Sequence, residues 1–231
     1  MLNQISEKVY DYHNSNSWSA KFREKRLSFF SSLMDSIAKT QTQVKILDVG
    51  GVADFWQNWA LLDDNTLNIE IYIVNIDPVY ETQGTKNHKI KILTSDARNL
   101  KQFKDQEFDI VFSNSVIEHV GDYSEQRQMA NEVIRVGKRY FVQTPNLYFP
   151  IEPHFIFPFF QFLPINLRVE LLSRFNLGWF NRIPDKQKAR IEVESIKLLN
   201  KKQFINLFPG AKFYEEKVLG LTKSLIVYDG W

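Results

Sequence analysis

A chain of 231 residues with 44% hydrophobic and 14% aromatic side chains can bury one sizeable core, so one domain with an appendage is the starting expectation. The 29 Lys and Arg against 27 Asp and Glu leave a formal charge of +2, with the basic residues dispersed, which argues against a nucleic-acid partner. The absence of cysteine excludes disulfides, thiolate nucleophiles and Cys-ligated zinc together.

The opening segment MLNQISEKVYDYHNSNSW lacks the basic start, apolar run and cleavage site of a secretory signal, so cytoplasmic residence is the default expectation. A first helix is expected over roughly Leu2 to Tyr12. A second, over Phe22 to Ile37, follows from apolar residues at spacings of three and four: Phe22, Phe29, Phe30, Leu33, Met34 and Ile37. Val44 to Gly51 (VKILDVGG) is an apolar run closed by an acid and a glycine pair, as a buried parallel strand is where it turns into a helix near Ala53. Further strands are read at Ile69 to Ile76, Lys89 to Leu93, Phe108 to Phe112 and Arg139 to Gln143, with a helix ending over Met129 to Val136. Ala211 to Val218 and Leu221 to Tyr228 form a closing antiparallel hairpin around Gly220. This alternation predicts an α/β chain with a Rossmann-like, mostly parallel seven-stranded sheet and helices on both faces, N-terminal helices and an aromatic-rich insertion after the fifth strand. One domain is expected over 1–231: a helical cap (1–40), a cofactor-binding core (41–145), a substrate lid or insertion (146–210) and the hairpin (211–231).

The insertion is helical around Leu167 to Phe175 and again around Glu192 to Phe208. It reads either as a lid or as a hydrophobic cover over a sheet edge. Its most apolar stretch, Tyr148 to Leu163, contains Glu152, His154 and several prolines and is too short for a membrane-spanning helix. The block Phe155, Phe157, Phe159, Phe160 and Phe162 reads as core, as an enclosure for an apolar acceptor, or as a lipid contact.

Ligands of open parallel sheets bind beyond the carboxyl ends of the strands, where the strand order reverses. Four successive strand ends here carry Asp48 with Gly50 and Gly51, then Asp77, Asp96, and Ser113 with Asn114. Glycine admits close backbone approach, and an acid after the second strand accepts hydrogen bonds from ribose hydroxyls, so a ligand with an adenosine-type ribose is expected. Taken singly, each acid also reads as a helix cap and Gly-Gly as a turn.

In the segments ILDVGGVADFW, IVNIDP, LTSDARNL and FDIVFSNSVIEHV the chain resembles the class I S-adenosylmethionine-dependent methyltransferases, over roughly 44–145. The resemblance implies that Asp48, Gly50 and Gly51 shape the turn around the methionine portion, that Asp77 binds the ribose with Pro78 beside the adenine, and that Asp96 and Ala97 read the adenine edge. Ser113, Asn114 and Val116 would lie beneath the sulfonium. SNSVIEHV is similar to the small-molecule branch and lacks the Asn-Pro-Pro-aromatic signature of nucleic-acid amino-methylases. One departure stands out: Asp54 occupies the place of the family's last glycine, and Phe55 and Trp56 are the side chains that would compensate by packing.

The methyl acceptor is expected to be a small molecule, with an apolar or aromatic one admitted by the phenylalanines, and no metal is expected. Pro-Asn…Phe-Pro-x-Glu-Pro-His at 145–154 also resembles this branch; it nominates His154 as general base with Glu152 as its partner, and His119 as a weaker candidate. Structural readings stand beside these: Glu152 and His154 as a lock on the proline-rich loop, His119 as a helix cap. His13 and His88 read as surface residues. Two rival functions remain at this level, a nucleotide-dependent oxidoreductase and a methyltransferase fold retained for binding alone. The first is opposed by the missing G-x-G-x-x-G and by Asp96-Ala97, the second by the retained acids at 77 and 96.

Overall fold

In a computed structural model of the chain, the described residues are 18–57, 59, 67–83, 85 and 87–231. The expected helix Leu2 to Tyr12 and His13 lie outside them. The chain divides into two compact units, 1–40 with 151–189, and 41–150 with 190–231.

The second unit holds the sheet. Its strands are β1 (Gln43–Val49), β2 (Asn68–Asn75), β3 (Ile90–Thr94), β4 (Ile110–Asn114), β5 (Tyr140–Pro145), and later in the chain β8 (Lys212–Val218) and β9 (Leu221–Asp229). They lie in the order β3-β2-β1-β4-β5-β9-β8, parallel from β3 to β5, with β9 antiparallel between β5 and β8. Order reverses between β1 and β4, which pair Ile46 with Ile110 and Asp48 with Phe112. The central strands read as continuous apolar runs because both of their faces are covered: β5 is buried throughout and β4 in all but its last residue. The expected seven-stranded α/β sheet is the observed one, with each predicted strand found within two residues of its expected place.

The helices of this unit include α2 (Ala53–Gln57), α3 (Val79–Gln83), α4 (Tyr123–Val136) and α7 (Lys201–Leu207). On α4 the buried residues Gln126, Met129, Ala130, Val133 and Val136 fall on one helical face, and the last four of them join Leu47, Val111, Phe204 and Leu225 in one core. Asp122 starts α4 with a capping box, its side chain accepting from the Ser124 and Glu125 amides while Glu125 accepts from the Asp122 amide. The helix expected over 192–208 is instead two, α6 (Lys186–Ser195) and α7. The break has local causes: Asn200 caps α7 in a box with Gln203, and the Lys197 amide donates to the Glu118 carbonyl instead of continuing the helix.

The first unit contains α1 (Trp18–Ala38), a two-stranded hairpin of β6 (Ile151–Glu152) and β7 (Phe157–Pro158), and α5 (Ile165–Arg174). Of the stripe predicted by periodicity, helix α1 buries Phe30, Met34 and Ile37 and partly buries Phe22, Phe29 and Leu33; Arg26, outside that stripe, is buried as well. Phe155, Phe160, Val169, Leu172 and Leu177 are buried in the later segment. No helix among the described residues is long and apolar enough to cross a membrane.

Candidate cofactor site

At the reversal point the β1 chain leaves the sheet through Gly50, whose amide donates to the Val74 carbonyl of β2 at 2.7 Å and whose φ is +80°. A Cβ on Gly50 would stand 2.5 Å from both γ carbons of Val116, so only glycine leaves this space open. Gly51 serves a different end. A Cβ there would fall within 1.7 Å of an Asp48 carboxylate oxygen, which means that Asp48 is tucked beneath the turn. Asp48 is buried and accepts a hydrogen bond from the Trp56 indole Nε1 at 2.6 Å. Burial away from water pushes its pKa up to about 7, with the indole donor partly offsetting the rise.

Trp56 is itself fully buried, edge-on to Phe112 and to Trp59 with ring centres 5.1 Å apart in each case, and Phe55 stacks on Phe112 at 5.5 Å. Directly after Asp54, which stands where the family pattern has its last glycine, Phe55 and Trp56 form an aromatic plug whose indole grips Asp48. The indole–carboxylate bond had no signal in the sequence beyond the Phe-Trp pair itself.

A cleft of about 630 Å³ opens at these strand ends, within the range of cofactor pockets. Gly50, Asn75, Asp96, Ala97, Ser115 and Val116 line it, with His119 and Glu194 further along. Of the sequence-predicted cofactor residues, Gly50, Asp96, Ala97 and Val116 thus reach the cleft wall, as does the candidate base His119, which is exposed at the end of a short 3-10 turn (Ile117–His119).

The others stand elsewhere. Asp48 and Gly51 support the turn from below. Ser113 is fully buried and donates from Oγ to the Val49 carbonyl at 3.1 Å, stitching β4 to β1, and Ser115 lines the cleft while Ser113 does not. Asn114 is partly buried and does not line the cleft either. Asp77 and Pro78 are exposed; the Asp77 carboxylate accepts from the Val79 amide at 2.9 Å and so caps α3, and the cleft at this strand end is lined by Asn75, Ile76 and Tyr80. These placements depend on which way each side chain turns at or just beyond its strand end, which spacing along the chain does not report.

Missed at the sequence level was an ion-paired cluster on the cleft wall. Arg98 grips Asp96 with Nη2 at 2.6 Å and Nε at 3.0 Å, and its Nη1 pairs with Glu125, the α4 capping-box residue, which folds over Gly121. These hydrogen bonds hold the Asp96 carboxyl below the usual carboxylate range.

The predicted acid–base pair lies in the first unit. Glu152 is buried on β6 and its carboxylate accepts from the amides of His154 and Phe155 at 2.8 and 2.7 Å, while its other oxygen is 2.7 Å from His154 Nδ1. A carboxylate only accepts, so the ring donates from Nδ1. The lock on the proline-rich loop and the orientation of the imidazole are therefore one arrangement. His88 is exposed.

A parallel sheet that reverses order beside a glycine turn, with a cleft walled by successive strand ends, is the cofactor site of a Rossmann-like α/β domain. Residues 47–140 match the family model described as a methyltransferase domain, and the sheet-bearing unit has the Rossmann-like α/β fold of such domains, whose cofactor is S-adenosylmethionine. An uncharacterized protein of Mycobacterium tuberculosis strain H37Rv, Rv1509, is 37% identical over 65 residues, 28% of this chain. The match spans only 22% of that relative's length. Among solved structures, the PH0226 protein of Pyrococcus horikoshii is similar with a TM-score of 0.54 at 20% identity, over 98% of this chain and 96% of the other. Magnesium protoporphyrin IX methyltransferase of Synechocystis PCC 6803, solved with bound SAH, is similar with a TM-score of 0.52 at 10% identity, over 90% and 82%. At these identities the likeness establishes the fold alone.

Proposed function

We propose that this chain binds S-adenosylmethionine in the cleft beside Gly50 and transfers its methyl group to a small-molecule acceptor. The observation that carries the reading is the space kept open at Gly50, against Val116 and next to Asp96 and Ala97, at the point where the sheet order reverses. Backbone there can approach a ligand closely, and Asp96 supplies an acceptor for an exocyclic amine.

Bound S-adenosylmethionine supplies the electrophilic methyl carbon. The chain's own part is to bind, align and exclude water. Asp77 is proposed as the ribose acceptor in keeping with the family resemblance, its carboxylate leaving the Val79 amide to do so. His154, whose ring Glu152 orients through Nδ1, is proposed as the base for a hydroxyl or protonated amine acceptor, and His119 as the second candidate. The small-molecule acceptor is supported by the SNSVIEHV segment and by the dispersed basic residues.

Titration calorimetry of the purified chain with S-adenosylhomocysteine and, separately, with NAD tests the reading. Saturable binding of the first and none of the second is expected. Binding of NAD alone would replace the methyltransferase reading with the oxidoreductase one. Incubation with S-adenosylmethionine and a metabolite extract, read by mass spectrometry for the gain of one methylene, then reports turnover and the acceptor; binding without any such product would leave a binding protein.

A further inference from the structure

The first unit shows its aromatic residues to solvent in a way the methyltransferase reading does not use. Among the described residues, every exposed Phe and Trp side chain falls within 151–189: Phe159, Phe162, Phe175 and Trp179, each about half exposed. Leu167 is exposed in the same segment. Three of them, Phe159, Phe162 and Trp179, flank one stack of rings, in which Phe155 stacks on Phe160 at 4.1 Å and on Phe180 at 4.9 Å. Phe159 and Trp179 each adjoin a member of that stack in sequence. The Phe162 amide donates to the Phe159 carbonyl, and the Trp179 amide to the His154 carbonyl, which ties both loops to the same hairpin. With each ring carrying 150–250 Å² of surface, half-exposure of four leaves on the order of 400 Å² of aromatic surface in this one segment open to a partner.

The loop also keeps two bulky residues in the left-handed backbone region, Ile156 with φ +50° and Phe159 with φ +56°. Phe159 therefore holds a strained conformation and an exposed ring together, a combination that packing inside this chain does not require. The surrounding charge is one-sided. Arg174, Arg182, Lys186 and Lys188 are exposed, against Glu170, which pairs with Arg174 and Lys186, and Asp185, whose carboxylate is occupied by the amides of Gln187 and Lys188 at the start of α6. Half-exposed rings that share a segment with an excess of exposed basic side chains on long apolar stems match the boundary of an anionic bilayer, where rings sit among the headgroups and cations meet lipid phosphates.

From this we infer that the 151–189 segment is a peripheral membrane-binding surface for anionic lipid bilayers, seated through Phe159, Phe162, Phe175 and Trp179. The full chain sediments with phosphatidylglycerol/phosphatidylcholine vesicles and weakly or not at all with phosphatidylcholine vesicles. Phe159→Ser combined with Trp179→Ser lowers the sedimented fraction at least tenfold, while Arg174→Glu with Arg182→Glu removes the preference for phosphatidylglycerol. Because these four side chains are exposed, the variants retain wild-type circular dichroism and S-adenosylhomocysteine affinity, which separates this test from that of the cofactor site. Absence of wild-type sedimentation with phosphatidylglycerol vesicles overturns the inference. So does a concentration-dependent dimer, seen by analytical ultracentrifugation without lipid and lost in Phe159→Ser with Trp179→Ser, since the patch would then be covered by a second copy.

Discussion

Replacing Asp48 by asparagine should make the protein more stable at alkaline pH and remove most of a pH dependence that the wild type shows. The carboxyl is buried with its pKa raised from 3.8 to about 7, and each unit of such a difference corresponds to about 1.4 kcal/mol. Below about pH 4 the group is protonated whether the chain is folded or not, and its burial costs nothing electrostatically. As pH rises from there toward 7, the unfolded chain releases the proton and the folded chain does not, so stability falls, reaching a penalty of about 4 kcal/mol above pH 7. Between pH 5 and 8 the loss is roughly 2–3 kcal/mol, equivalent to a drop of roughly 5–10 °C in Tm for a chain of this size. Asp48→Asn keeps an oxygen to accept the Trp56 indole proton and carries no charge, so its Tm should vary less by that amount over the same interval. Differential scanning calorimetry of both proteins at pH 5, 6, 7 and 8, compared as the difference between them, cancels contributions from the histidines. Parallel Tm profiles for the two proteins would refute the reasoning, and with it the view that a dry carboxyl under Gly51 supports the cofactor turn.

Gly50→Ala combines a positive φ with a Cβ 2.5 Å from two Val116 carbons; it should cost about 1–2 kcal/mol of backbone strain and abolish measurable S-adenosylhomocysteine binding by calorimetry. Adding Val116→Ala should restore part of that binding, since it relieves the collision and leaves the strain. Asp77→Ala should weaken S-adenosylhomocysteine by about 1–3 kcal/mol through loss of a charged acceptor for ribose hydroxyls, and unchanged calorimetric affinity would reduce Asp77 to the cap it forms on α3. His154→Ala should lower turnover with the native acceptor by about 10²–10⁴ at nearly constant cofactor affinity; full turnover would make the histidine a loop residue only.

How far the sequence reached is clearest at β4. The apolar run and the Ser-Asn-Ser that follows place a strand end at the cofactor site, but three consecutive small polar residues are equivalent until something orients them. What orients them is the Val49 carbonyl, 64 residues away in sequence, which takes the Ser113 hydroxyl and leaves Ser115, turned into the left-handed region at φ +56°, to line the cleft. The same holds for the motif acids. Their positions after strands were readable because parallel strands are continuous apolar runs that must end in turns. Their partners were not: Asp48 meets an indole, Asp96 meets Arg98 and through it Glu125 of another helix, and Asp77 turns to its own helix.

The sequence by itself determined the α/β class, the strand positions and the strand ends that line the candidate site, because these follow from hydrophobic periodicity and from where glycines and acids interrupt it, all local properties of the chain. Only the tertiary structure decided which side chain at each strand end faces the cleft, which carboxylate is dry and which is ion-paired, and that four aromatic rings of the insertion stand in solvent, because each of those depends on the direction a side chain takes among neighbours distant in sequence.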